Sequence, residues 1–517
     1  MPILKEIKLS PKEAYSEADI LLHAYAKCGI PTHKIQKINV LKKSLDARQN
    51  PVFFNIRIEI FLHDEHIGTM STGFHFHKKV WSSSCHIIGM GPAGMFAALQ
   101  LLERGIRPII LERGKPVRER RRDLAQINKE RVMNPESNYC FGEGGAGTYS
   151  DGKLYTRSNK RGDMLKVLET FIQHGADPNI SFEAHPHIGT NKLPNIIERM
   201  RNTILENGGE IHFEKKLVDI TLQDNLIKKL ICQDGDTFDC TQLILATGHS
   251  ARDIFELLPK KNILIEAKPF ALGVRIEHPQ EIINRIQYKR DFDNAYLSPA
   301  SYSLVTQVNG NGVFSFCMCP GGIIAPAATD HNEIVVNGWS PSKRNGRFAN
   351  SGMVVNVNPL HWEKFNKEGA LAALHFQKHV EQEAYKTTGS LQAPAQRVED
   401  FIQNKISTTL PECSYLPGIQ SVALKEILPD YITKCLREGL IQFGKKMPAY
   451  RTNDAVLVGV ESRTSSPVRI PRDKETLRHP QISNLYPCGE GAGYAGGIMS
   501  AALDGIACAE KILNFEL

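Results

Sequence analysis

Residues 85–112 constrain the fold more than any other stretch of the chain. A short apolar strand over residues 85–88 runs into Gly89-Met90-Gly91-Pro92-Ala93-Gly94. An apolar helix then continues to about Arg104, Gly105 ends it, and a second strand over residues 108–111 leads to Glu112. Strand, GxGxxG, helix, strand and acid fall in the order that a dinucleotide-binding βαβ unit requires. Each residue type has a task. Gly89 permits the tight turn, Gly91 lets backbone approach a pyrophosphate, and Gly94 lets helix and strand pack closely. The pyrophosphate would sit on the helix N-terminus, where free N–H groups and the dipole favour an anion. Glu112 lies 18 residues after Gly94 and is suited to accept from ribose hydroxyls.

The rest of the chain gives that unit a globular, multi-domain setting. At ~150 residues per domain, 517 residues amount to about three units, and 41% hydrophobic residues suffice for real cores. No uninterrupted apolar run reaches the roughly 18 residues of a bilayer crossing. The longest candidate, residues 87–102, is broken by three glycines and a proline. The N-terminus, MPILKEIKLS, has no apolar signal region, and the 11 cysteines show no paired CxxC spacing. A cytoplasmic protein with reduced thiols, no metal and no membrane association is expected. The net charge of +7 is mild for this length. Two basic concentrations stand out: Lys34, Lys37, Lys42, Lys43, Arg48 and Arg57 against Asp46, and the run RGKPVRERRR at residues 113–122. Each reads either as a solvated face or as an anion-binding surface.

Residues 1–80 read as a small α+β domain without obvious chemistry. Residues 3–9 form a short strand. Ser10-Pro11 then starts a helix, with Ser10 as its cap. Ala14, Ala18, Leu21, Leu22 and Tyr25 recur at helical spacing up to Gly29 and Pro31. Val52, Phe54, Ile56, Ile58, Ile60 and Leu62 alternate as in a strand with one buried face.

Three later segments bear on which dinucleotide is held. Residues 209–248 read as a strand, a β-meander and an apolar strand ending in Ala246-Thr247-Gly248. Residues 485–505 (LYPCGEGAGYAGGIMSAALDG) read as a strand to Gly489-Glu490, a glycine loop and a helix. Residues 141–153 (FGEGGAGTYSDGK) form a further glycine-rich loop. These segments resemble the glutathione-reductase-like superfamily of FAD flavoproteins, in which the chain leaves and re-enters the nucleotide domain at such points. The resemblance implies that Glu490 bonds the ribityl chain. It also implies that a helix starting near Gly497 stabilises negative charge on reduced flavin through its dipole, and that the 141–153 loop lies beside the isoalloxazine. It implies FAD, held non-covalently, by Gly89, Gly91, Pro92, Ala93, Gly94, Glu112, Arg113, Gly144, Gly145, Thr148, Gly152, Leu217, Thr247, Gly248, Gly489, Glu490, Gly497, Ile498 and Met499.

The match narrows further. FGEGGAGTYSDGKL, ATGHSARD, FALGVRIEHP, FCMCPGG, ESRTSSPVRIPRD and PCGEGAGYAGGIMSAALDGI together resemble the bacterial FAD-dependent dehydrogenases described as NAD(FAD)-utilising. The expected architecture is α/β: a Rossmann-like FAD-binding domain at residues 81–258 and 461–517, a mixed α+β substrate domain at 259–460, and the N-terminal domain at 1–80.

Candidate chemistry beyond the cofactor is less sharply defined. His249 follows the Thr247-Gly248 turn and serves either as a general acid or base or as a hydrogen-bonding residue of the crossover. In residues 270–277, Phe270, Leu272, Val274 and Ile276 share one strand face and Gly273, Arg275 and Glu277 the other. Arg275 therefore points either to solvent or into a cavity. Arg463 belongs to a donor-rich loop suited to a carboxylate or phosphate, or to an interdomain polar network. Cys317 and Cys319, two apart in a strand, share a face and read as buried structural thiols rather than a redox pair.

The expectation is an FAD-dependent oxidoreductase that passes a hydride through flavin N5, with His249, Arg275 and Arg463 as catalytic candidates. Its small-molecule substrate would be anionic if the two arginines face it. With one complete dinucleotide fingerprint, NAD(P)H would act as a transient reductant within the substrate cavity. The alternative is an RNA-associated flavoprotein of the tRNA-modification type, docking through the basic N-terminal domain. That stretch offers few aromatic stacking surfaces, which disfavours nucleic acid.

Overall fold

The structure is a computed structural model that describes residues 2–63, 73–76, 81, 83–155 and 162–512. At the N-terminus, Ile3–Leu9, Phe53–Leu62 and Ile35–Asp46 form a three-stranded antiparallel sheet in that order. Ile7, Leu9, Phe54, Ile56, Ile58 and Ile60 bury its inner face against Ala14 and Ala24. The helix expected from Ser10 begins later, at Glu17, and runs to Cys28. Ser16 is its cap, accepting from the Asp19 N–H, while Ser10 belongs to a short 3₁₀ turn over Glu13–Tyr15. Ser10-Pro11 thus starts a turn, and the competing serine six residues on takes the helix. The boundary expected at residue 80 lies outside the described residues.

The basic stretch of this domain is thinner than its composition suggests. Lys43 donates to the Ala14 carbonyl and sits 3.2 Å from the Tyr15 ring centroid, and burial lowers its pKa to about 8. Arg48 pairs with Asp46.

The nucleotide lobe is a five-stranded parallel sheet in the order Leu485–Pro487, Leu243–Leu245, Ser83–Ile88, Ile106–Leu111, Glu210–His212. A three-stranded antiparallel meander, residues 217–239, precedes the Leu243–Leu245 strand. The chain then leaves this sheet and rejoins it as a strand at Leu485. Helices Pro92–Glu103 and Ile498–Glu510 cross closely on this sheet. Their contact depends on Gly505, where an added Cβ would lie 2.1 Å from the Ala93 carbonyl oxygen.

Between the excursions lies a second lobe built on an eight-stranded sheet. Its centre is Phe270–Pro279, paired antiparallel with Phe348–Val357 on one side and Val456–Glu461 on the other. Nine of its ten residues are buried. The reading of Arg275 as a solvent-facing edge residue is therefore corrected: a central strand covered on both faces has no solvent side. Helices Ala372–Thr388 and Asp430–Lys446 pack on this sheet. Among the described residues, no helix is long and apolar enough to cross a membrane.

Candidate functional site

A cavity of about 350 Å³ opens between the two lobes, within the size range of small-molecule sites. One wall is largely backbone. Gly89 has φ 98°, and an added Cβ there would lie 2.5 Å from the Ala246 carbonyl oxygen, so the turn after the first strand needs glycine. At Gly94 a Cβ would lie 2.0 Å from the Gly89 carbonyl oxygen, which is the close helix–strand packing expected of it. Gly91 differs: the nearest atom to an added Cβ is 3.8 Å away, and the Cβ would project over the N-terminus of Pro92–Glu103. Gly248, Gly496 and Gly497 likewise have nothing within 4 Å of an added Cβ, and all three line the cavity. Gly497 also begins Ile498–Glu510, so two helix N-termini face the same space. Open room above glycines and two positive helix ends are what an elongated ligand with a pyrophosphate requires. The residues present fit FAD.

The expected cofactor residues divide in two. Gly89, Gly91, Pro92, Ala93, Glu112, Arg113, Gly145, Gly152, Leu217, Thr247, Gly248, Glu490, Gly497 and Ile498 line the cavity. Gly94, Gly144, Thr148, Gly489 and Met499 lie behind the wall. Gly144 donates to the Met90 carbonyl, Thr148 to the Glu143 carbonyl, and Gly489 to the Asp504 carboxylate. Glu112 is buried and already accepts three backbone N–H bonds, from Met90 at 2.7 Å, Gly114 at 2.9 Å and Gly142 at 3.0 Å. It ties the fingerprint loop to the 141–153 loop. Arg113 pairs bidentately with Asp253 at 2.9–3.0 Å and meets Glu136 at 2.8 Å.

The opposite wall is made of side chains. His249 lines the cavity directly after Gly248, with Nδ1 3.2 Å from Glu490 Oε1. Arg463 reaches it too, but its guanidinium is occupied by Glu333 and Glu381 at 2.8–2.9 Å and by Thr329. Arg252 meets the same two carboxylates, so four charges are buried together. Arg275 lies outside the lining. It is fully buried: Nη1 donates to both Glu461 oxygens at 2.8–2.9 Å, Nε to the Asn350 side-chain oxygen and Nη2 to the Cys317 carbonyl. The expectation that these two arginines present open forks to an anionic substrate is thus corrected: acceptors of the protein itself occupy both.

Two residues that the sequence did not place at the site stand there, one of them a cysteine read as structural. Cys317 lines the cavity, and so does Lys153. Cys317 is not in the extended strand geometry expected of it. Its φ is 45°, and the strand register shifts between Phe316 and Cys319. Lys153 Nζ donates to the Met318 carbonyl and lies 3.8 Å from Cys317 Sγ and 4.0 Å from Cys319 Sγ. No local pattern announces this; only the proximity of two CxC thiols to a glycine-loop lysine does. Elsewhere, Cys488, Asp504 and Cys508 bring their side-chain ligand atoms within 4.8 Å of one another. Arg472 already holds that Asp504 carboxylate bidentately at 2.6–3.0 Å.

Comparison with known proteins adds a family. Residues 269–464 match the model described as FAD-dependent protein, C-terminal domain-like. Residues 1–61 match a domain of unknown function, DUF8436. The chain is 40% identical over 512 residues to an uncharacterized protein of Clostridium beijerinckii, covering 95% of each. Similarity to solved structures is distant. CtdE in complex with FAD aligns with TM-score 0.33 and 10% identity over 83% of both chains. The open conformation of a flavocytochrome c3 fumarate reductase aligns with TM-score 0.34 and 11% identity, over 83% of this chain and 77% of that one. FAD is the cofactor of this chain.

Proposed function

The chain belongs to the family of the Clostridium beijerinckii protein, and from that premise we propose that it is an FAD-dependent oxidoreductase acting on a small molecule in the cavity between its lobes. One observation carries the proposal: two helix N-termini converge on a cavity whose glycines leave room for a dinucleotide. Gly91, Pro92 and Ala93 would hold the pyrophosphate, and Gly497 and Ile498 would face the flavin end. Glu112 keeps the two loops of the floor in register through its three N–H bonds, leaving one lone-pair direction for a ribose hydroxyl. Bound FAD supplies two-electron transfer.

The chain's own residues then orient and protonate. His249, whose buried Nδ1 lies 3.2 Å from Glu490 and makes no hydrogen bond, is the group placed to hold or pass a proton at the cavity wall. The Arg252–Glu333–Glu381–Arg463 cluster positions that wall instead of binding substrate. The return of the chain at Leu485 supports a glutathione-reductase-like arrangement, and the single dinucleotide fingerprint supports NAD(P)H as a visiting reductant. Purified protein should be yellow and release FAD, not FMN, on denaturation, and NADH or NADPH should bleach it anaerobically. A colourless protein that added FAD cannot restore overturns the cofactor placement. Flavin untouched by either nicotinamide removes that reductant.

A further inference from the structure

The two-apart spacing of Cys317 and Cys319 reads as structural thiols rather than a redox pair. Cys317 nevertheless lines the cavity that Gly91 and Gly497 also line. The left-handed turn at Cys317 takes the pair out of extended geometry, in which i and i+2 thiols stand near the far limit for a disulfide. Both thiols are free, and the strand that carries them shifts register on either side of Cys319.

Two cations converge on the pair. Lys153 Nζ lies within 4.0 Å of both sulfurs, and Arg275 Nη2 is 3.6 Å from Cys319 Sγ while donating to the Cys317 carbonyl at 2.7 Å. Each cation has its own carboxylate: Asp151, 3.7 Å from Lys153 and shared with Arg344, and Glu461 on Arg275. These are the charged groups that face the thiols. The Cys319 S–H donates to the Cys317 carbonyl at 3.3 Å. The Cys319 thiol beside it, with the Lys153 and Arg275 charges, outweighs burial and Asp151 and holds the Cys317 thiol well below its ordinary range. The Cys317 side chain, together with burial, raises Cys319. A thiolate beside a protonated thiol is the asymmetric state from which a disulfide forms.

We propose that Cys317 and Cys319 are a dithiol–disulfide couple of the FAD site, with Cys317 the thiolate, Cys319 its protonated partner and Lys153 the positioning cation. The step balances. The S–S bond forms as the Cys319 S–H breaks, and the electron pair and that proton pass to FAD. The reverse step returns both and opens the disulfide. The couple rests on the FAD placement proposed above.

The test uses the full-length holoprotein. After diamide oxidation and desalting, anaerobic dithionite should deliver two electron pairs per FAD before the flavin is fully reduced. Cys319→Ser, which keeps a hydroxyl donor but cannot form the bond, should take one. Independently, the thiolate absorbance at 240 nm that Cys317→Ser removes should appear at clearly lower pH than that of an ordinary cysteine, which titrates near pH 8.5. Lys153→Met should move that step upward. One electron pair per FAD in the wild type, or a step at the ordinary position, overturns the couple. Loss of FAD alone is a separate failure, because the 240 nm step and the count of free thiols after diamide read the pair without flavin.

Discussion

The two walls of the cavity are built on opposite principles. The nucleotide wall is backbone: turns, helix ends and open room above Gly91, Gly248 and Gly497. The facing wall is charged and sulfurous: the four buried ions Arg252, Glu333, Glu381 and Arg463, and Lys153 with Cys317. A glycine's task depends on its own dihedrals and near neighbours, so it is inscribed in a few consecutive letters. A buried ion pair joins residues more than 80 positions apart, as in Arg252 with Glu333, and nothing local announces the partner. The first wall is specified by where space is left open, as at Gly248, and where it is already filled, as at Gly89. The second tolerates no missing charge.

The largest expected effect comes from removing one charge of the second wall. Arg463→Met should leave Glu333 and Glu381 buried with Arg252 alone, at a cost of about 3–5 kcal/mol in unfolding free energy. Urea unfolding of the variant checks it. A loss below about 1 kcal/mol would mean that water already reaches the cluster, and the contrast between the walls would weaken.

On the first wall the expected effect splits between neighbours. Gly91→Val projects into the cavity, so it should keep its fold and lose FAD affinity about 100-fold, near 2.7 kcal/mol. Gly94→Ala meets the Gly89 carbonyl instead, so it should lower stability by about 1–3 kcal/mol through overpacking. Flavin retention on gel filtration, set beside a thermal melt, separates the two. If both variants lose fold and flavin together, Gly91 is a packing residue like Gly94.

The legibility of the sequence follows the same division. The strand–glycine–helix unit falls at Ser83–Leu111 as the motif required, and the return strand and helix near the C-terminus fall where their glycines put them. Period-two alternation located Phe53–Leu62. It misled at Arg275: alternation marks two faces but cannot tell that both are covered, and Phe270–Pro279 is a central strand. It misled again at Cys317, where one residue in the left-handed region cancels the same-face rule. Glu112 was placed at the site, yet its three backbone donors come from three loops, and the 142 loop could not be positioned by spacing. Arg463 was read as donor-rich without sight of the acids that occupy it.

The smallest expected effect asks whether the two lobes stand or fall together. Each has a buried histidine in its sheet: His86 beside the nucleotide wall, and His278 in the central strand of the other lobe, its Nε2 donating to the Tyr450 carbonyl at 2.8 Å. Burial lowers both pKa values to about 4. The sign follows from linkage. Below about pH 6.5 the unfolded chain takes up a proton that the native state refuses until about pH 4, so stability is lost as pH falls through that window. Each histidine contributes a slope of about 1.4 kcal/mol per pH unit there. His86→Phe and His278→Phe should each flatten the dependence of the unfolding free energy on pH by that amount, whatever constant offset the new ring adds. Because the Arg252–Glu333–Glu381–Arg463 cluster spans the lobes, both variants should act on one shared transition in urea at pH 4.5–7. Two transitions, each sensitive to only one histidine, would show that the charged wall closes the cavity without coupling the lobes that form it.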